Sequence, residues 1–122
     1  MPIVELTKDN FESVVNGNPM VIVDFWAPWC GPCRGFAPVF ENASQAHPDV
    51  VFAKVNTDSE QELAGSFNIR SIPTLMVFRE KVILVQQAGA LPASALEQML
   101  SEVKSVDMTE VRKEIAKRDA TA

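Results

Sequence analysis

With 122 residues, 47% of them hydrophobic and 22% charged, the chain has room for one globular core at the usual ~100 to 200 residues per domain, and two compact domains are excluded. Eleven Lys and Arg against sixteen Asp and Glu give a net charge of −5, so no basic field draws in nucleic acid. No uncharged apolar run approaches the ~18 to 20 residues that cross a bilayer, and residues 1–6 lack the basic start, apolar stretch and cleavage site of a secretory signal, so the expectation is a cytoplasmic protein with no membrane contact.

Residues 3–6 read as an edge strand, and Thr7 as the N-cap of a short helix that runs through Asn16 and ends at Gly17. Met20 to Trp26 is almost unbroken apolar and β-branched, bounded by Gly17-Asn18-Pro19 and by Pro28, which suits a central strand buried on both faces. Pro32 to Ala46 reads as a helix with Phe36, Val39, Phe40 and Ala43 on one side. Pro38 falls inside it, where it removes the bond to the Arg34 carbonyl, and His47-Pro48 stops it. Val50 to Asn56 is a second apolar strand, and Ser59 with Glu62 reads as a capping box opening a short helix through Phe67. Thr74 to Phe78 and Val82 to Gln87 are strands joined by Arg79-Glu80-Lys81, a connection too short for anything except an antiparallel hairpin. Ser94 starts a helix with Leu96, Leu100 and Val103 at helical spacing. Asp107 to Arg118 places Met108, Val111 and Ile115 on one helical face, with Asp107 and Glu110 set as a cap.

These elements add up to an α/β fold: a mixed sheet with a parallel core and an antiparallel hairpin at its end, helices on both faces, and an extra C-terminal helix. Residues 1–105 form the domain and residues 106–122 a helical extension whose charges balance, either solvated or lightly docked or, alternatively, a partner site. Parallel neighbours require right-handed crossovers, so a site should form where the first central strand hands over to the next helix, at Trp26 to Cys33.

Cys30 and Cys33 are the only cysteines, three residues apart at that junction. In a first helical turn such side chains are ~5 to 6 Å apart, a spacing a disulfide tolerates, although closing so small a loop constrains the unfolded chain little. Cys30, ahead of the helix, would face its orphan N–H groups and positive dipole end, which favour thiolate, and so reads as the nucleophile. Cys33, one turn inside, reads as the resolving thiol, and Pro32 fits the first turn because its missing N–H is unbonded there anyway. The blander reading makes both cysteines small core residues. A metal site would need further soft ligands, and only His47 is on offer.

Asp24 is a carboxylate in the middle of a buried strand, costly unless it is bonded, neutralised or used. It could accept and return the proton of Cys33, with Lys54 of the neighbouring strand as its partner; the alternative is a purely structural Asp24–Lys54 ion pair. Trp26 reads as core and Trp29 as contact surface.

Asp24-Phe25-Trp26-Ala27-Pro28-Trp29-Cys30-Gly31-Pro32-Cys33, followed by Pro38, Lys54, Ile72-Pro73-Thr74 and Gly89, closely resembles the thioredoxins over roughly residues 3–104. Cys33-Arg34, Phe36-Ala37-Pro38 and Arg70-Ser71-Ile72-Pro73 are most similar to the thioredoxin-2 branch, whose members usually carry a zinc ribbon with four more cysteines that this sequence lacks. The resemblance implies the thioredoxin fold and reduction of protein disulfides by Cys30 attack and Cys33 release. Gly31 and Pro32 would tune the dithiol, and Trp29, Ile72, a cis Pro73 and Gly89 would contact substrate, with the Ile72 backbone pairing to an extended segment. It also implies no bound cofactor, electrons from NADPH through thioredoxin reductase, disulfide-containing client proteins and a monomer. The family's frequent hairpin Gly is replaced here by Glu80-Lys81. Two other functions fit the same residues: a redox-independent scaffold using the apolar surface around Trp29, Pro32, Ile72, Pro73 and Gly89, or a reductant dedicated to one client recruited by the extension.

Overall fold

The computed structural model describes residues 3–121. In chain order the elements are β1 (Val4–Glu5), α1 (Phe11–Asn16), β2 (Met20–Trp26), α2 (Gly31–Ala46), β3 (Val51–Asn56), α3 (Gln61–Ser66), β4 (Thr74–Arg79), β5 (Val82–Ala88), α4 (Ala93–Ser105) and α5 (Met108–Thr121). The five strands form one sheet in the order β1-β3-β2-β4-β5. β1, β3 and β2 run parallel, whereas β4 pairs antiparallel with β2 and with β5. The expected mixed sheet is therefore present, with β2 at its centre because its near-continuous apolar run can be covered on both faces.

Alternation along β2 divides the core into two layers. Ile22 packs with Phe36, Phe40 and Ala43 of α2 and Leu96 and Leu100 of α4 on one face. Val21, Val23 and Phe25 pack with Val15 of α1 and Ala64 of α3 on the other, where Phe11, Phe25, Phe67 and Phe78 make ring contacts. Asp24, two residues after Ile22, projects toward the α2 and α4 side.

Three local expectations are corrected. Thr7 does not cap α1: the helix begins at Phe11 after Asn10, whose Oδ1 turns back to accept the Thr7 N–H at 2.7 Å, so residues 7–10 close a turn of their own. The Ser59–Glu62 capping box does not form either. Glu60 precedes α3, and the Asn56 side chain accepts the N–H groups of Asp58 and Ser59 instead. Arg79 is the last residue of β4 and not part of the turn, which consists of Glu80 and Lys81 alone. Both have positive φ, 51° and 72°, the mirror-image turn that matches strand twist and that Asn or Gly adopts at least cost.

α5 follows α4 directly. The Asp107 carboxylate caps its first turn by accepting the N–H of Thr109 at 3.0 Å and of Glu110 at 3.3 Å. Met108 is buried, Val111 half-buried and Ile115 exposed, so only the first turns dock while the remainder is solvated. Arg79 secures the junction, its Nη1 donating to the carbonyls of Val103, Lys104 and Val106 at 2.8, 3.1 and 2.6 Å. Arg112 pairs with Glu80 of the hairpin turn. The terminal residues 1, 2 and 122 of the two expected segments lie outside the described residues.

Candidate active site

The junction between β2 and α2 is held from both sides. The Trp26 carbonyl accepts the Thr57 N–H at 2.8 Å and the Thr57 hydroxyl at 3.1 Å, and Arg34 reaches back so that Nη1 donates to the Pro28 carbonyl at 3.0 Å. Cys30 is the N-cap of α2: its backbone is extended, φ −82° and ψ 115°, and its Sγ accepts the Cys33 N–H at 3.2 Å. A sulfur in that position receives an orphan N–H and the positive end of the helix. The helix starts at Gly31, one residue earlier than its sequence pattern indicates, which puts Pro32 at the second helical position.

Cys30 and Cys33 are joined as a disulfide with Cα atoms 5.2 Å apart, packed among Ala27, Trp26 and Ile72. Cys30 keeps 5% of its surface and Cys33 2%, so the N-cap residue is the more reachable of the two. The loop before β4 lies against them: Cys30 Sγ is 3.8 Å from the Ile72 carbonyl oxygen, and Ile72-Pro73 is a cis peptide bond. Gly89 closes this edge, its N–H donating to the Pro73 carbonyl at 2.8 Å. Its φ of +96° is the reason for glycine, since a Cβ there would meet nothing within 4 Å. Trp29 stands 66% exposed on the rim, with its indole N–H donating to the Asp58 carboxylate at 3.0 Å. Thus Trp29, Cys30, Gly31, Pro32, Cys33, Ile72, Pro73 and Gly89 all gather at one end of the sheet.

Asp24 sits behind this surface with no exposed area and no hydrogen bond to either carboxylate oxygen. Burial pushes its carboxyl up to about 7, against the opposing pull of the Lys54 charge. Lys54 is the cross-strand neighbour of Asp24 in β3, yet the direct ion pair does not form. The ammonium lies 5.0 Å from the centre of the Trp26 ring and acts on Asp24 through space. Trp26 is half-buried, with a buried Nε1 that also lacks a partner.

Sequence reasoning missed Asp58, Thr57 and Arg34 as supports of the site. The register Trp26↔Asn56 could have revealed the first two, because it delivers the residues after β3 to the same end as those after β2. His47, expected to stop the helix, is the C-cap of α2 and bridges to α4, with Nε2 2.6 Å from Glu97 and Nδ1 2.9 Å from the Lys104 ammonium. Among the described residues no group of three or more His, Cys, Asp or Glu could hold a metal ion, and no helix is long and apolar enough to cross a membrane.

Comparison with known proteins points one way. The family profile described as thioredoxin matches residues 2–102. A Streptomyces coelicolor protein provisionally called thioredoxin 2 is 52% identical over 119 residues, covering 98% of this chain and 89% of that one. The thioredoxin of Alicyclobacillus acidocaldarius is 46% identical over 99 residues, 80% of this chain and 94% of its own. Among solved structures, Plasmodium falciparum thioredoxin superposes with a TM-score of 0.77 at 37% identity, covering 82% of this chain and 98% of that one. The oxidised mitochondrial thioredoxin 3 of Saccharomyces cerevisiae gives 0.76 at 30% identity, covering 82% and 94%. The Streptomyces match spans nearly all of this chain and so includes most of α5, whereas the other coverages leave room for its omission. None of these likenesses favours the redox-independent scaffold expected as an alternative.

Proposed function

The chain belongs to the thioredoxin family and is a thiol–disulfide oxidoreductase that reduces protein disulfides, and from that premise we propose the roles of its residues and the source of its electrons. The observation that carries the assignment is the Cys30 sulfur at the N-cap of α2, bonded to the Cys33 N–H. In the reduced protein the same N–H and helix dipole stabilise a Cys30 thiolate. That thiolate attacks one sulfur of the client disulfide; a mixed disulfide forms and the other client sulfur leaves as thiolate. Cys33 then gives its proton to Asp24 and attacks Cys30 Sγ, closing the intramolecular disulfide and releasing the second client sulfur. An Asp24 carboxyl near 7 is matched to this task, since it is partly ionised at neutral pH and can return the proton it takes. Lys54 moderates Asp24 by its charge.

Gly31 and Pro32 tune the dithiol by setting the first turn of α2. Trp29, Ile72, Pro73 and Gly89 form the surface that receives an extended client segment, with the Ile72 backbone as its pairing edge. No cofactor is bound. Two electrons return to the disulfide from NADPH through thioredoxin reductase, in a monomer acting in cytoplasmic electron transport. Residues 1–105 carry the activity, and residues 106–122 are an extension held at Met108 and Val111 that serves to select one client in the alternative reading.

Insulin disulfide reduction with NADPH and thioredoxin reductase tests this reading. Turnover by the intact protein should fall to background in Cys30→Ser, and Cys33→Ser should accumulate a mixed disulfide visible by mass spectrometry. Turnover by Cys30→Ser equal to that of the intact protein would overturn the assignment of the nucleophile.

A further inference from the structure

One cation at the redox end is only partly used by the fold. Arg34 lies in the first turn of α2, four residues after Cys30, and its backbone N–H donates to the Cys30 carbonyl at 3.1 Å. At that spacing the two side chains leave the helix on the same face. The Arg34 side chain does not trail into solvent. Its Nη1 donates to the Pro28 carbonyl at 3.0 Å, which ties it to the turn that Cys30 closes by donating its own N–H to the Ala27 carbonyl at 3.2 Å. That tether uses one of the several N–H donors of a guanidinium. Arg34 is exposed, and among the described residues its other donors have no acidic partner.

The acidic groups nearest the site are already engaged. Asp58 accepts the Trp29 indole N–H at 3.0 Å, and Glu60 accepts the Lys8 backbone N–H at 2.8 Å. Arg34 is therefore an oriented cation beside the reacting sulfur, in a chain whose net charge is −5. A long exposed side chain ordinarily loses rotamer freedom when it captures a carboxylate, and a tether made in advance removes much of that loss. The planar fork also matches the two oxygens of a carboxylate, which an ammonium does not. Arg70, two residues before Ile72, is a second exposed cation at this end, but no comparable tether holds it, so it adds to the field without fixing an orientation.

We propose that Arg34 is a specificity-determining residue, which selects clients with an acidic side chain next to the disulfide cysteine that Cys30 attacks. Selection by Arg34 rests on Cys30 as the nucleophile and leaves the exchange itself unchanged: the client carboxylate docks on the guanidinium while the thiolate attacks the client sulfur.

The test uses three synthetic peptides, each closed by one disulfide and identical except that both cysteines are flanked by Glu, by Gln or by Lys. Their reduction is followed with NADPH and thioredoxin reductase, and kcat/KM is compared among the intact protein, Arg34→Lys and Arg34→Glu. A glutamate suits the first turn of a helix, so the reversed variant keeps α2 intact. At low ionic strength the intact protein should favour the Glu peptide over the Gln peptide by about two- to five-fold and disfavour the Lys peptide by a similar factor. Molar salt should remove most of the difference. Arg34→Lys should keep the order with a smaller spread, and Arg34→Glu should reverse it. Comparing ratios between peptides cancels both the peptides' own reducibility and any change in the Cys30 thiolate. The same order and spread in the intact protein and in Arg34→Glu would overturn the selection while leaving Cys30 in its role. Undiminished reduction of all three peptides by Cys30→Ser would instead overturn the nucleophile on which it rests.

Discussion

The two ends of the central sheet treat polar groups in opposite ways. At the end that carries the dithiol, Asp24 and Trp26 keep buried polar atoms without partners and Trp29 stands in solvent. At the other end, Arg79 donates to three carbonyls at the end of α4, Glu80 pairs with Arg112 of α5, and the Glu80 N–H donates to the Pro19 carbonyl at 2.8 Å. Unpaired polar groups cost free energy wherever they are buried. The molecule carries that cost beside the dithiol and closes its bonds at the opposite end. Strain is placed differently again: the positive φ values of Glu80 and Lys81 lie at the closed end, where the surrounding bonds hold the turn in place.

The largest expected effect on stability is at Asp24. Its folded carboxyl titrates near 7 against 3.8 for an unconstrained one, so between those values the folded state holds a proton that the unfolded state has lost. Stability therefore falls as pH rises from about 4 to about 7 and is level above. Relative to the intact protein, Asp24→Asn should gain roughly 4 kcal/mol on going from the acid to the alkaline side of that window. Urea denaturation at both pH values measures the gain, and a pH-independent difference would show that Asp24 is not buried as its neutral form.

At the closed end the sign reverses. Arg79→Met removes the donor to the carbonyls of Val103, Lys104 and Val106 and should cost about 2 to 3 kcal/mol, with faster amide exchange in α5 as the local signature. Unchanged exchange in α5 would mean that this helix is held by Met108 and Val111 alone. The smallest effect is Lys81→Gly, which relieves a left-handed residue at φ 72° while leaving the Glu80–Arg112 pair in place. It should stabilise by about 1 kcal/mol, read as a rise in Tm.

The elements of this chain were legible wherever a local pattern sufficed. Met20 to Trp26 needed only its apolar run, α2 and α4 only their helical spacing, and the Cys30–Cys33 chemistry only two thiols at the mouth of a helix. The helix starts near Thr7 and Ser59 were misread because a capping side chain has rival backbone partners. Asn10 and Asn56 took those contacts, and propensity does not rank such choices.

By itself, then, the sequence determined the strand and helix order, the dithiol at the junction and the anomaly of a carboxylate in a buried strand, because each is written in residues close together along the chain. Only the tertiary structure decided what surrounds them. It set Ile72 and Pro73 against Cys30 across more than forty residues, gave Trp29 its partner in Asp58, and placed the Lys54 ammonium over Trp26 and out of bonding contact with Asp24. Those relations depend on sheet register and on packing between layers, where a shift of one residue reverses the face on which every side chain lies.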